Sequence, residues 1–244
     1  MSFFNGLYSY EIVLLALGTL MFLVLLFAFV YSLIKKQALG RLFGFFLFPI
    51  LMIGFPVVSS IKLMNALLEI TTKTRELEKK PTDKSTREEL VKAVQSVAAR
   101  PLSNPQTLTT VARAQVALGN DASALTNLDK ALQKDPNLPE AVQLKEKIEL
   151  VRDLDKLTPH VESNPADAAA KAELQKKIAD VAKSPIASPE TLAKVARAQA
   201  AVGAHEQALS NAQKALTINP NLEAAKQVRS QIKVMPAQPA PTTK

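Results

Sequence analysis

The strongest constraint on this chain is that it repeats itself. The stretch from Pro189 to Pro220, PETLAKVARAQAAVGAHEQALSNAQKALTINP, recurs from Pro105 to Pro136 as PQTLTTVARAQVALGNDASALTNLDKALQKDP. At a constant offset of 84, Leu90–Ile148 aligns with Leu174–Ile232 with 27 identities in 59 positions. Leu192, Val195, Ala196 and Gln199 fall at i, i+3, i+4 and i+7, the spacing of one helix face, and Ala208, Ala212, Ala215 and Leu216 carry a second such face. Gly203 and Gly119 mark a turn between the two helices. Pro220 and Pro136 end the second helix, because proline has no N–H to continue the ladder. Each stretch is therefore a pair of amphipathic helices.

This pattern resembles the tetratricopeptide repeat, a helix–turn–helix unit of about 34 residues. The resemblance assigns the close-packing small residues to Ala112 and Ala124 in the first copy and to Ala196 and Ala208 in the second. The turn glycines are Gly119 and Gly203, the later small residues Ala131 and Ala215, and the terminal prolines Pro136 and Pro220. The chain departs from the family at its aromatic positions. Leu108 and Leu192 stand for tryptophan, Gln115 and Gln199 for tyrosine, and Leu128 and Ala212 for a large apolar residue.

The similarity between copies runs past the hairpins. Leading helices are expected near Thr86–Ala99 and Ala166–Lys183, and following helices open at Asn137-Leu138 and Asn221-Leu222. Isolated hairpins cannot bury their apolar faces, so stacked neighbours must supply the core. The expected fold of residues 86–233 is an all-α, TPR-like α-solenoid of about eight helices with an internal 84-residue duplication, in halves 86–156 and 166–233.

Residues 1–61 differ in kind, containing only Glu11, Lys35, Lys36 and Arg41 as charged groups. Two uncharged runs, about 12–34 and 42–61, are each long enough to cross a hydrocarbon core of roughly 30 Å. Together they are expected to form a transmembrane hairpin. A cleaved signal peptide does not fit, because MSFFNGLYSYE has no Lys or Arg and no cleavage motif follows the long apolar run. Pro49 and Pro56 are tolerable in a membrane span, where neighbouring helices satisfy the freed carbonyls. Gly40 and Gly44 have GxxxG spacing, and Phe43, Phe45, Phe46 and Phe48 are assigned to lipid-facing bulk. The turn KKQALGR is basic where the preceding tail is not. The positive-inside rule therefore places the turn in the cytoplasm and both ends outside, although Lys62, Lys73, Arg75, Lys79 and Lys80 favour the opposite sense. The expected location is a bacterial inner membrane with an extracytoplasmic repeat domain.

Residues 62–85 are expected to form a helical stalk capped by Pro81. Its apolar positions, Ile61, Met64, Leu68 and Leu77, are interrupted by Thr71 and Thr74, so homo-oligomerisation through a coiled coil has no sustained heptad behind it. The tail, 234–244, is Pro-rich and expected to be disordered.

Little chemistry is on offer. The chain has no cysteine and two histidines. His160 and His205 are assigned to a loop and a turn as solvated side chains. No phosphate loop or catalytic motif is present, so no enzyme activity, cofactor or metal is expected. The 27 basic and 21 acidic residues after Ile61 are interspersed, which argues for a solvated surface and against nucleic acid.

By the family resemblance, the first helix of each hairpin lines a concave groove. Arg113 and Arg197 then offer guanidinium groups to a partner's carboxylate, flanked by Thr109, Val116, Ala193 and Ala200, with Asn127 and Asn211 at the edge. The expected function is a membrane-anchored scaffold binding a protein or peptide partner, as in bacterial TPR proteins of envelope complexes. The alternative is a small structural subunit of a membrane complex or transporter, with the hairpin as its working part. No ionisable residue inside the spans provides an ion path for it.

Overall fold

A computed structural model describes residues 6–35 and 40–234. Among them are ten helices and no strand. The helices are α1 (Ser9–Ile34), α2 (Gly40–Lys79), α3 (Lys84–Ala98), α4 (Pro105–Leu118), α5 (Asp121–Lys134), α6 (Pro139–Ser163), α7 (Ala168–Ala182), α8 (Pro189–Ala201), α9 (His205–Ile218) and α10 (Glu223–Val234). Adding 84 to the bounds of α3 and α5 gives those of α7 and α9. The tail lies outside the described residues, as does most of the turn between α1 and α2.

Local chemistry sets the boundaries. Side-chain oxygens of Asp83, Asn104, Asn120, Asp167 and Ser188 accept the orphan amides opening α3, α4, α5, α7 and α8, which satisfies donors the helix itself leaves unpaired. Gly119 and Gly203 adopt φ of 88° and 87°, a left-handed conformation that costs glycine nothing. One expectation fails at α6. Pro159 does not end it, and His160 lies in the helix rather than in a loop. Pro159 is exposed, so water can satisfy the carbonyl that its missing N–H abandons.

Helices α1 and α2 are long and apolar enough to cross a membrane, and hardly any of their apolar windows is buried. They pack against each other most closely at Gly18, where an added Cβ would sit 2.9 Å from Met52 Cβ and 3.0 Å from Ile53 Cγ1. Gly44 of the GxxxG pair faces open space instead. Phe45 and Phe48 are exposed, but Phe46 is not bulk turned to lipid. It meets Phe22 and Phe29 edge to face at 5.7 and 6.1 Å, a favoured quadrupole geometry.

The second apolar run continues without a break into residues 62–79, as expected of a helical stalk. They are the last turns of α2, and Leu63, Ile70 and Leu77 are buried with Leu90, Val94 and Val97 of α3 and Val111 of α4. Their counterparts 84 residues on, from Leu154 and Val161 to Leu174, Ile178, Val181 and Val195, form another cluster. Thr74 is buried on this inner face, while Ile61, Met64 and Leu68 are exposed. What looked like one interrupted stripe is two stripes on different faces of one helix.

The close-packing alanines behave as small residues should. Ala112 and Ala124 are fully buried between α4 and α5, and Ala196 and Ala208 between α8 and α9. Upstream of α1, Tyr8 Oη donates to the Ala99 carbonyl at 2.9 Å and Arg100 Nη1 to the Gly6 carbonyl at 3.4 Å. These bonds hold residues 6–8 against the loop that joins α3 to α4.

Candidate functional site

The two arginines occupy the same turn of α4 and α8, and each is already paired. Arg113 donates through Nε and Nη2 to Glu78 at 3.0 and 2.8 Å, and through Nη1 to Glu140 at 3.5 Å. Arg197 donates through Nε and Nη2 to Glu162 at 2.8 and 2.6 Å. Both are two-pronged guanidinium–carboxylate pairs, the geometry that matches a planar fork to a carboxylate. Each arginine is pushed above its ordinary range, chiefly by the hydrogen bonds it donates to its glutamate. Each pair spans 35 residues, so α2 stands to α4 as α6 stands to α8.

Val116 shares a surface with Arg113, but most of the other expected groove residues are engaged elsewhere. Thr109 and Ala193 are buried, and the Thr109 hydroxyl donates to the Pro105 carbonyl at 2.8 Å. Asn127 Nδ2 donates to Gln115 Oε1 at 2.9 Å, and Asn211 Nδ2 to Gln199 Oε1 at 2.8 Å. These bonds clamp the two helices of each hairpin together. Gln115 and Gln199 thus have a structural role, with both side chains nearly buried and their carbonyl oxygens hydrogen-bonded. Ala200 is half-buried on α8. Of the expected residues, Arg113 and Val116 line a cavity.

That cavity is a cleft enclosing about 260 Å³ between α2, α4, α6 and the segment leading into α8. Glu78, Arg113, Glu140 and Lys147 supply its charge; Val116, Ala117, Leu144 and Ile186 supply apolar wall. One side is closed by residues 184–188, and Ala187 enters the core formed by α2, α3 and α4. Lys147 Nζ donates to the Pro185 carbonyl at 2.9 Å. Arg87 holds the Ala187 carbonyl at 2.6 Å and reaches the Ala117 carbonyl at 3.5 Å. Burial pushes Lys147 down from its ordinary value; Glu78 opposes this and Arg113 reinforces it. Burial likewise lowers Arg87. The arrangement suits a chain segment with an apolar side chain and backbone groups to hydrogen-bond, because two cations and two carboxylates balance at its mouth.

The histidines stand apart from the cleft. His160 Nε2 is 3.5 Å from Asp167 Oδ2 on an exposed surface. His205 opens α9 half-buried rather than solvated, and its Nδ1 has no hydrogen-bond partner among the described residues. No cluster of three metal-ligating groups occurs among the described residues.

Sequence reasoning missed Glu78, Glu140, Gln143, Lys147 and the segment 184–188. One signal was available: a Glu lies 35 residues before each duplicated Arg. Comparison with known proteins finds no matching family model, no similar characterised protein and no similar solved structure.

Proposed function

We propose that this protein is a membrane-anchored scaffold of the tetratricopeptide-repeat type, built on an 84-residue duplication. In this reading α3–α10 form a short solenoid, α1 and α2 form a transmembrane hairpin, and a partner protein or peptide docks in the cleft. The observation that carries the reading is the double character of α2. Its first half exposes apolar side chains that only lipid or another helix covers, and its last turns are core of the repeat domain. The bonds of Tyr8 and Arg100 tie residues 6–8 to the loop between α3 and α4, which supports a hairpin with both ends on one face. We assign that face to the outside of a bacterial inner membrane, from the basic turn between the spans.

The test is photo-crosslinking in native membranes from a reactive residue at Val116 or Gln143 in the cleft, with Lys130 on the far side of α5 as control. A discrete adduct from the cleft sites alone, weakened by Arg113→Ala, supports the scaffold reading. Equal adducts from all three sites, or none, would sink the cleft as the docking place. Protease digestion of intact spheroplasts decides the side: cleavage from outside supports the assignment, and protection until lysis reverses it.

A further inference from the structure

We propose that the protein is a parallel homodimer joined along the outward face of α2. On that face Leu47, Ile50, Gly54, Val57, Ile61, Met64, Leu68 and Thr71 follow one another at alternating intervals of three and four residues. This is the a/d pattern of a left-handed coiled coil, sustained for more than three heptads. Leu47, Ile50, Ile61, Met64 and Leu68 are each more than half exposed. A Cβ added at Gly54 would meet nothing within 4 Å, so the helix is open to close approach there. The Thr71 hydroxyl donates to the Leu67 carbonyl at 2.9 Å and leaves no unpaired donor in the seam.

Lipid cannot be the whole explanation of this face. The bilayer can cover Leu47 to Val57, but Met64 and Leu68 follow Lys62, the first charged residue after the apolar run. They lie at and beyond the headgroups, where exposed apolar side chains signal a contact. The inner face of α2 does not compete for them, because Leu63, Ile70, Thr74 and Leu77 fill it.

Three features choose a second copy as the occupant. The occupant must cross the bilayer and carry apolar residues on past the headgroups at the same height, as α2 does. In a parallel twofold pair every seam residue meets its own counterpart, so one pattern serves both sides. The flanking positions, among them Val58, Ser60, Asn65 and Thr72, carry no charge, while Lys62, Glu69, Lys73 and Glu76 lie outside the seam. Like therefore faces like without repulsion.

The inference rests on the membrane-hairpin reading, and the test separates the two. The chain has no cysteine, so single substitutions report without background. Ile61→Cys, Met64→Cys, Leu68→Cys, Lys62→Cys and Glu69→Cys are made in the full chain, and its membranes are treated with a mild oxidant. Dimer-sized bands from the first three and monomer from the last two are the expected result. Monomer at every position, equal bands at all five, or adducts of another mass would overturn the homodimer. Sedimentation of the same samples with membranes tests the span assignment independently.

Discussion

The first repeat half, from the last turns of α2 through α5, and the second, α6 through α9, are built alike but end differently. In the first, Arg113 is shared between Glu78 and Glu140, and the segment 184–188 lies across the neighbouring surface. In the second, Ala224 stands where Glu140 would be and Gln231 where Lys147 would be, and among the described residues Arg197 pairs with Glu162 alone. One arginine pair thus has a further segment packed beside it, and the other has none among the described residues. The lesson is that an identical residue in a repeat acquires its role from what stacks upon it.

The largest effect should come from the corresponding cores of the two halves. Ile70→Ala and Leu154→Ala remove side chains with no exposed surface, and each should destabilise the full chain by about 3 kcal/mol, as leucine- and isoleucine-to-alanine changes in cores do. Denaturant unfolding in detergent, followed by helical signal, measures this. A loss at Ile70 below about 0.5 kcal/mol would show that α2 stands free of the domain.

The ion pairs come next and should separate the halves. Glu78→Gln strips the bidentate partner from a cleft-lining arginine and should cost about 1–2 kcal/mol. Glu162→Gln, at the more open end, should cost less than about 1 kcal/mol. Equal losses would erase the distinction between the covered pair and the open one.

The glutamine–asparagine clamps should not distinguish the halves at all. Double-mutant cycles on Gln115/Asn127 and on Gln199/Asn211 should each return a coupling of about 1 kcal/mol. Unequal couplings would mean that the hairpins are packed differently.

The smallest effect concerns Asp121, whose carboxyl is pushed up from 3.8 chiefly by burial, with Lys194 opposing and Glu190 adding. The folded state keeps this proton to higher pH than the unfolded chain does. Its favourable contribution is present below 3.8 and is lost as pH rises through the folded value. Asp121→Asn should therefore flatten the stability profile between acidic and neutral pH, gaining at most about 1 kcal/mol at neutrality. An unchanged slope would place the pH sensitivity elsewhere.

The hairpin helices were legible because caps, turn glycines and terminal prolines are local signals. The role of residues 62–79 was not. Over residues 61–80 and 145–164, only Thr74 with Thr158 and Glu78 with Glu162 are identical. Two buried positions keep apolar character without identity, Ile70 with Leu154 and Leu77 with Val161, whereas buried Leu63 is matched by Lys147. Even the shared threonine differs in use, because Thr158 donates to the Leu154 carbonyl at 2.7 Å while the Thr74 hydroxyl lies buried without a partner. The groove failed for another reason. A sequence places Thr109 and Ala193 on the arginine's side of a helix but cannot show that a preceding helix covers that side.

Because α2 is one helix from the end of its apolar run to the cleft, it also acts as a ruler. Ile61 and Glu78 are 17 residues apart on it, a rise of about 26 Å at 1.5 Å per residue. On the membrane reading, that is how far above the bilayer edge the cleft is held when α2 stands upright. A partner confined to the headgroup layer would pass beneath it. The geometry therefore favours partners that themselves stand off the membrane, or that send a strand of chain up to meet the cleft.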